Sequence, residues 1–132
     1  DLDKPRLRLK GNNYTVVSFG AATLTCIQAY EDLKKKNVSF DLIDFRNVAN
    51  PDISAIIKSL KKTKRLLVVE DGWSKMSFSS EIITRVCESN IKLKNPPSRI
   101  CWPNSHVPMS PNLEKDFYFD RKDIYNKILK SL

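Results

Sequence analysis

The chain alternates between two kinds of apolar pattern, and this alternation limits the folds open to it more than any other feature. Short runs of β-branched and aromatic residues, which are typical of strands, lie at residues 14–19, 38–44, 66–70 and 98–102. Longer runs with apolar residues at helical spacing lie at residues 22–36, 51–60, 79–90 and 121–132. Strands and helices that alternate with short connections predict a three-layer α/β fold, in which helices flank a mostly parallel open sheet.

A further strand is predicted ahead of this alternation. Leu7 and Leu9 alternate with basic residues, and a glycine–asparagine turn signal follows at residues 11–13. We interpret residues 6–10 as an edge strand, which brings the sheet to about five strands. The chain starts without Met and without a signal-like apolar segment, so we expect it to be the interior of a longer protein. Residues 1–13 are then a linker and edge strand from a preceding domain, and residues 14–132 form one domain.

The strand predicted at residues 66–70 leads into the most informative stretch of the sequence. It is continuously apolar, as expected of a strand that is buried on both faces of a parallel sheet. It ends in the string Glu70-Asp71-Gly72-Trp73, and a serine-rich loop and a helix follow. Functional sites of open α/β proteins lie just beyond the carboxyl ends of strands, so this turn is the first candidate site.

The residues of this turn argue against a phosphate, metal or catalytic site. A phosphate cradle needs several glycines, but Gly72 is the sole glycine here and two carboxylates precede it. The strand-end acids Asp44, Glu70 and Asp71 resemble a Mg²⁺ ligand set, but the first strand ends in Ser18 and Phe19. Cys101 and His106 are a candidate nucleophile and base, but the sequence shows no third residue that would orient them for catalysis. We therefore assign no catalytic, cofactor-binding or metal-binding residue to this chain.

A contact surface fits the turn better. Trp73, Met76 and Phe78 lie together in a loop that we expect to be exposed, and Trp102 and Met109 follow the next strand. Aromatic and Met side chains are enriched at the centres of protein interfaces. The alternative, that the rings fold back over the edge of the sheet, stays open at this point.

Charge and cysteine content exclude several other functions. The net charge is +8, but the lysine runs at residues 34–36 and 61–65 fall where helices are expected to end, and no nucleic-acid-binding motif is present. No apolar run approaches the ~20 residues that span a bilayer. Three cysteines without a C-x-x-C pattern predict reduced, mostly buried thiols in a reducing compartment. We expect neither nucleic acid nor membrane as a partner.

Four stretches carry a resemblance to a known family, and one of them is "FDLIDFRNVANPDISAIIKSLKKTKRLLVVEDGW", which is similar to its D-L-R-T-x-x-P-x-D run and the K-K-T-x-x-L-V-V-V-E stretch that follows. "RLLVVEDGWSKMSFSSEI" resembles the strand–E-x-G-W–loop–A-E-I segment of the transketolase C-terminal-type domain, as found in beta subunits of thiamine-diphosphate-dependent 2-oxoacid dehydrogenases. "YTVVSFG" is similar to the opening strand of that family, and "NSHVPMSPNLEK" is similar to its proline-rich segment after the fourth strand. The resemblance covers about residues 4–131, and the order and spacing of the stretches make it specific.

The resemblance implies a function in assembly. It implies the C-terminal interface domain of a pyruvate dehydrogenase-type beta subunit, which supports oxidative decarboxylation and acyl transfer to lipoyl groups. Thiamine diphosphate and Mg²⁺ would belong to the whole enzyme, and its partners would be an alpha subunit, a second beta subunit and the lipoyl acyltransferase core. The interface residues implied by this match and by the exposed loop are Gly72, Trp73, Met76, Phe78, Glu81 and Leu132.

The same resemblance leaves some alternatives open. The chain could belong to a transketolase or deoxyxylulose phosphate synthase relative, or it could be a binding module without an enzymatic partner, and a homodimer is an alternative assembly. The implied locations are the bacterial cytoplasm, the mitochondrial matrix and the plastid stroma. These locations agree with the reduced thiols that the cysteine pattern predicts.

Overall fold

A five-stranded sheet forms the centre of the computed structural model, which describes residues 3–132. Its strands are β1 (Arg6–Leu9), β2 (Tyr14–Phe19), β3 (Phe40–Phe45), β4 (Leu66–Trp73) and β5 (Ser98–Trp102), in the spatial order β1-β3-β2-β4-β5. The strands β3, β2, β4 and β5 run parallel to one another, and β1 pairs with β3 in the antiparallel direction. The predicted mostly parallel sheet with an edge strand at its start is confirmed.

Helices cover both faces of the sheet. They are α1 (Ala22–Lys34), α2 (Ser54–Thr63), α3 (Phe78–Glu88), α4 (Pro111–Glu114) and α5 (Arg121–Leu129). One apolar layer joins the sheet to α1 and α5, and a second layer joins the opposite face to α2 and α3. The three-layer α/β architecture predicted from the alternating pattern is therefore confirmed.

The strand β4 shows why its sequence is continuously apolar. Leu66 and Val68 pack in the layer of α2 and α3, whereas Leu67 and Val69 pack in the layer of α1 and α5. All four side chains are buried, because a central parallel strand is covered on both faces. This burial fixes the position of the carboxyl end of β4, where the candidate site begins.

Several boundaries differ from the sequence prediction. The helix α1 ends at Lys34. The helix α2 begins at Ser54, whose amide donates a hydrogen bond to the Asp52 carboxylate at 2.8 Å. Pro51 is therefore buried ahead of the helix and does not lie in its first turn. The short helix α4 was not predicted, because four residues carry too little periodicity to be recognised.

No helix among residues 3–132 combines the length and the apolar character that crossing a membrane requires.

Candidate interface at the carboxyl edge of the sheet

The carboxylate of Glu70 holds the turn that follows β4. Its oxygens accept hydrogen bonds from the amides of Phe78, at 3.3 Å, and Ser79, at 2.8 Å. Ser77 is the N-cap residue of α3, and its hydroxyl accepts from the amide of Ser80 at 3.2 Å. Three of the free amides at the start of α3 are thus occupied by the protein's own side chains, and the negative charge of Glu70 suits the positive end of the helix.

Gly72 allows this capping arrangement. A Cβ atom at position 72 would lie 3.3 Å from Glu70 Oε1 and 3.4 Å from its Cγ, which is tighter than an ordinary contact. A larger residue would therefore press on the carboxylate that caps α3. This close approach gives a structural reason for glycine in the Glu-Asp-Gly-Trp string.

A set of hydrogen bonds joins the loop after β4 to the loop after β5. The indole of Trp73 donates to the carbonyl of Ser105 at 3.1 Å, and the amide of Lys75 donates to Asn104 Oδ1 at 3.3 Å. The side chains of Ser74 and Asn104 are also hydrogen-bonded, with Asn104 Nδ2 donating to Ser74 Oγ at 2.9 Å. The two loops therefore form one surface at the carboxyl edge of β4 and β5.

This surface carries an exposed apolar group of side chains. Met76 and Met109 are essentially fully exposed, Leu113 is 62% exposed and Trp73 is 53% exposed. Val107 and Tyr118 add smaller exposed areas nearby in the sequence. We call Trp73, Met76, Val107, Met109 and Leu113 the apolar edge group. Trp73 and Met76 follow β4 in the chain, whereas Val107, Met109 and Leu113 follow β5. Exposed large apolar side chains in the segments after two neighbouring strands are typical of a surface that another protein covers.

Phe78 does not belong to this exposed group, contrary to the sequence expectation. It is half-buried at the start of α3, and its ring contacts those of Phe19 and Phe45 edge-on at centroid distances of 5.0 and 5.6 Å. The alternative that the sequence left open, a ring folded back over the edge of the sheet, holds for Phe78. Trp73 combines both situations, since its nitrogen is held by Ser105 while half of its surface remains exposed.

The remaining carboxylates near this edge have different surroundings. Asp44 forms an ion pair with Arg8 at 3.3 Å and accepts from the hydroxyl of Thr23 at 3.3 Å. Burial raises the pKa of Asp71, although the amide of Ala22 and the indole of Trp102 oppose that rise. Glu81, in the first turn of α3, pairs with Arg85 at 2.6 Å. Among the described residues, no group of three His, Cys, Asp or Glu side chains could hold a metal ion.

Leu132 lies away from the other predicted interface residues. Its carbonyl accepts a hydrogen bond from Arg65 Nη2 at 2.7 Å, and Arg65 directly precedes β4. It is therefore at the amino end of β4, whereas Gly72 and Trp73 lie at the carboxyl end. The structure brings Gly72, Trp73 and Met76 together, leaves Phe78 and Glu81 beside them in α3, and separates Leu132 from all of them.

Burial affects the reactivity of two of the three cysteines. Cys26 is buried, and burial raises its pKa to about 12. Burial also raises the pKa of Cys101, whose sulfur lies 3.5 Å from Ser79 Oγ. Cys87 is exposed, although the cysteine pattern predicts mostly buried thiols. A raised pKa keeps a thiol protonated and poorly nucleophilic.

Comparison with known proteins gives the family of this domain. Residues 3–124 match the family described as "Transketolase, C-terminal domain". The chain belongs to the transketolase C-terminal domain family. This result confirms the resemblance that the Glu-Asp-Gly-Trp string and the flanking stretches carry.

Two of the curated proteins that this chain resembles are beta subunits of pyruvate dehydrogenase. The mitochondrial pyruvate dehydrogenase E1 component subunit beta of Dictyostelium discoideum is 31% identical over 126 residues, which cover 95% of this chain and 35% of that protein. The corresponding subunit of Rhizobium meliloti is 34% identical over 115 residues, which cover 86% of this chain and 25% of that protein. The chain therefore spans about a quarter to a third of the length of these relatives.

A solved structure supports the fold. The chain described as "Split gene transketolase, inactive beta4 tetramer" superposes with a TM-score of 0.82 at 16% sequence identity, over 100% of this chain and 43% of that one. At this identity the likeness establishes the fold alone.

Sequence reasoning missed part of the apolar edge group and the contacts that organise it. Leu113 lies in a segment that shows no clear periodicity, and its exposure could not be predicted from the sequence. Asn104 and Ser105 hold the loop of Trp73, but a polar pair after a proline is an ordinary loop signal. The proximity of these two loops depends on the pairing of β4 with β5, which only the fold reveals.

Proposed function

We propose that this chain is the C-terminal assembly domain of the beta subunit of a thiamine-diphosphate-dependent 2-oxoacid dehydrogenase, with pyruvate as the substrate of the whole enzyme. The domain supports oxidative decarboxylation and acyl transfer to lipoyl groups by holding the subunits together. Its support is the identity of more than 30% to two pyruvate dehydrogenase beta subunits over most of this chain. The observation that carries the assembly role is the exposed apolar edge group.

The proposal places thiamine diphosphate and Mg²⁺ outside this chain. The residues at the carboxyl edge do not fit a diphosphate, because Glu70 and Ser77 already occupy the amides at the start of α3. Asp44 is engaged by Arg8 and does not join Glu70 or Asp71 in a ligand set. The cofactor then lies between the alpha subunit and a domain that precedes residues 1–13 in the beta subunit.

The proposed partners follow from the same assignment. The apolar edge group meets a second beta subunit or the alpha subunit in the assembled enzyme, and the lipoyl acyltransferase core docks on the assembly. Met side chains suit such a surface because they adapt to the shape of a partner, and Trp73 is a rigid anchor. The domain works in the cytoplasm, the mitochondrial matrix or the plastid stroma, where its three thiols stay reduced.

Substitution of Trp73 tests the assembly role. In the full-length protein, Trp73→Ala is expected to weaken subunit association by about 2–4 kcal/mol, because a central aromatic anchor loses its contacts. Sedimentation velocity over a range of concentrations measures the shift from assembled to free subunits. The melting temperature of the 132-residue chain should change little, since half of the Trp73 side chain is exposed.

A matched variant controls for loss of an exposed apolar side chain. Leu24 of α1 is 64% exposed and lies outside both loops, so Leu24→Ala should leave assembly unchanged. If Trp73→Ala unfolds the 132-residue chain, Trp73 is a core residue and the interface assignment is wrong. Assembly that is equally strong in the wild type and both variants would also contradict the proposal.

A further inference from the structure

A cationic groove lies at the opposite end of the sheet from the apolar edge group. It has a volume of about 520 Å³ and runs between the edge strand β1 and the helix α2. Leu7, Ile43 and Ala55 provide its apolar lining, and Lys10, Lys58 and Lys62 provide its charged lining. We call these six residues the β1–α2 groove. The function proposed above does not use it.

Only one of the three lysines of the groove, Lys62, is neutralised by an ion pair within residues 3–132. Asp41 is the acidic residue of its lining, and it is only 4% exposed. Its carboxylate accepts hydrogen bonds from the Gly11 amide at 2.9 Å and the Ser59 hydroxyl at 2.6 Å, and it pairs with Lys62 at 2.9 Å. Within residues 3–132, Lys10 and Lys58 form no ion pair, so their charges face solvent.

A second depression extends the same charge. It has a volume of about 430 Å³, shares Lys10 and Lys62 with the β1–α2 groove and adds Lys34 without adding an acid. Four ammonium groups therefore line a continuous surface that contains one saturated carboxylate. A field of one sign in a concave surface attracts a partner of opposite sign and accelerates its binding.

The apolar lining decides which kind of anionic partner fits. Leu7 is 44% exposed although it lies beside buried Ile43, its partner across the β1–β3 pair. The outer edge of β1 is also unpaired, since β1 is the last strand of the sheet. Grooves that bind single-stranded nucleic acid stack bases on aromatic rings, and the lining of the β1–α2 groove has no aromatic ring. Tyr30 of the second depression is held by a hydrogen bond from its hydroxyl to the Lys10 carbonyl at 2.8 Å. A segment with both carboxylates and apolar side chains matches both halves of the lining.

We propose that the β1–α2 groove binds an acidic polypeptide segment of a partner protein, with apolar side chains of that segment against Leu7 and Ala55 and its carboxylates against Lys10 and Lys58. The excess positive charge of the whole chain, +8, supports the approach of such a segment. The site is separate from the apolar edge group, so one partner can occupy each surface.

Selection from random peptides tests this site directly, because it measures which chemistry the groove itself prefers. Short random peptides displayed on phage are selected on the immobilised 132-residue chain, and enriched peptides are synthesised and their affinity is measured by fluorescence anisotropy. Enriched peptides should combine acidic and apolar residues. The double variant Lys10→Glu with Lys58→Glu should weaken their binding on the order of tenfold or more, and added salt should weaken binding to the wild type.

Two controls make the result specific. Lys92 and Lys94 are exposed lysines outside the groove, so Lys92→Glu with Lys94→Glu changes the net charge equally and should leave peptide affinity unchanged. Leu7→Ser should weaken the peptides that contain apolar residues. All variants alter exposed side chains, and circular dichroism verifies their folding.

Several outcomes would overturn the proposal. They are the absence of any enriched peptide, enriched peptides without acidic residues, and equal affinity for the wild type and the Lys10/Lys58 double variant. Competition by a single-stranded oligonucleotide as strong as that of the selected peptide would show a general polyanion surface, which also contradicts a polypeptide site.

Discussion

Two aspartates show how local contacts decide the behaviour of residues with the same chemistry. Burial raises the pKa of Asp41, but hydrogen bonds from Ser59, Gly11 and Lys62 outweigh burial, and its pKa is lowered. Burial also raises the pKa of Asp71, and there the opposing contacts are too weak, so its pKa is raised. The Oδ2 atom of Asp71 is buried and has no hydrogen-bond partner among the described residues. The charged form is therefore stabilised at position 41 and destabilised at position 71.

Asp41→Asn should destabilise the 132-residue chain. The variant loses the ion pair with Lys62 and brings donor hydrogens toward the donors Gly11 and Ser59, at an expected cost of about 1–3 kcal/mol. The folded pKa of Asp41 lies below its unfolded value, so its contribution is present above about pH 4 and is lost as the pH falls through the folded pKa. Urea unfolding at several pH values measures this.

The exposed residue Asp116 provides the control for this substitution. Asp116→Asn should change the free energy of unfolding by no more than about 0.5 kcal/mol, as expected for a surface position. A stability of Asp41→Asn equal to that of the wild type at neutral pH would refute the role given to the buried carboxylate.

Asp71→Asn should have the opposite effect. The folded pKa of Asp71 is raised, so the wild type keeps full stability from this group only below its unfolded pKa and loses it as the pH rises through the folded pKa. An uncharged side chain avoids that loss. At neutral pH the variant should be more stable by up to about 1 kcal/mol, because solvent screens a group that is only partly buried. The gain should fade toward about pH 4, and unfolding curves showing a loss at neutral pH would contradict it.

At the scale of the element, the start of the helix α3 is capped by Glu70, a residue of the strand β4. Glu70→Ala removes the carboxylate that accepts from the amides of Phe78 and Ser79, so we expect a loss of about 1–3 kcal/mol in the free energy of unfolding. Glu70→Gln keeps one acceptor oxygen and should lose less. Thermal or urea unfolding measures both variants.

Glu81 is the matched control for the cap. It lies in the first turn of the same helix, but its partner Arg85 is on the surface, so Glu81→Ala should cost no more than about 0.5 kcal/mol. Equal losses in Glu70→Ala and Glu81→Ala would mean that helix charge, and not capping by the strand-end carboxylate, is the important factor.

The elements with strong periodicity could be predicted from sequence, and the contacts between elements could not. The continuous apolar run of β4 predicts a strand that is buried on both faces, and the β-branched and aromatic run at residues 14–19 predicts the bounds of β2. The role of Glu70 depends on α3 turning back over the end of β4, which no local pattern contains. The same reason explains Phe78, which reads as an exposed loop residue until Phe19 and Phe45 are placed beside it.

At the scale of the whole molecule, the sheet separates two surfaces of different character. The apolar edge group lies at the carboxyl ends of β4 and β5, and the β1–α2 groove lies at the β1 end of the sheet. Between these surfaces, one apolar layer of buried side chains lies on each face of the sheet. The two surfaces can therefore engage partners independently, with apolar contact at one and charge at the other.

The two methionines of the chain give a direct measurement of the assembly role. Met76 and Met109 are the only methionines in the sequence, and both are essentially fully exposed in the apolar edge group. Oxidation converts an accessible Met to its sulfoxide, and mass spectrometry of peptides reads each site separately. The experiment compares oxidation rates in the 132-residue chain and in the assembled full-length protein.

If the apolar edge group is a subunit interface, Met76 and Met109 should oxidise rapidly in the 132-residue chain and be strongly protected in the assembled protein. Trp73→Ala should restore their oxidation in the full-length protein, because it weakens the same interface. Equal oxidation rates in the chain and in the assembled protein, at both methionines, would contradict the account.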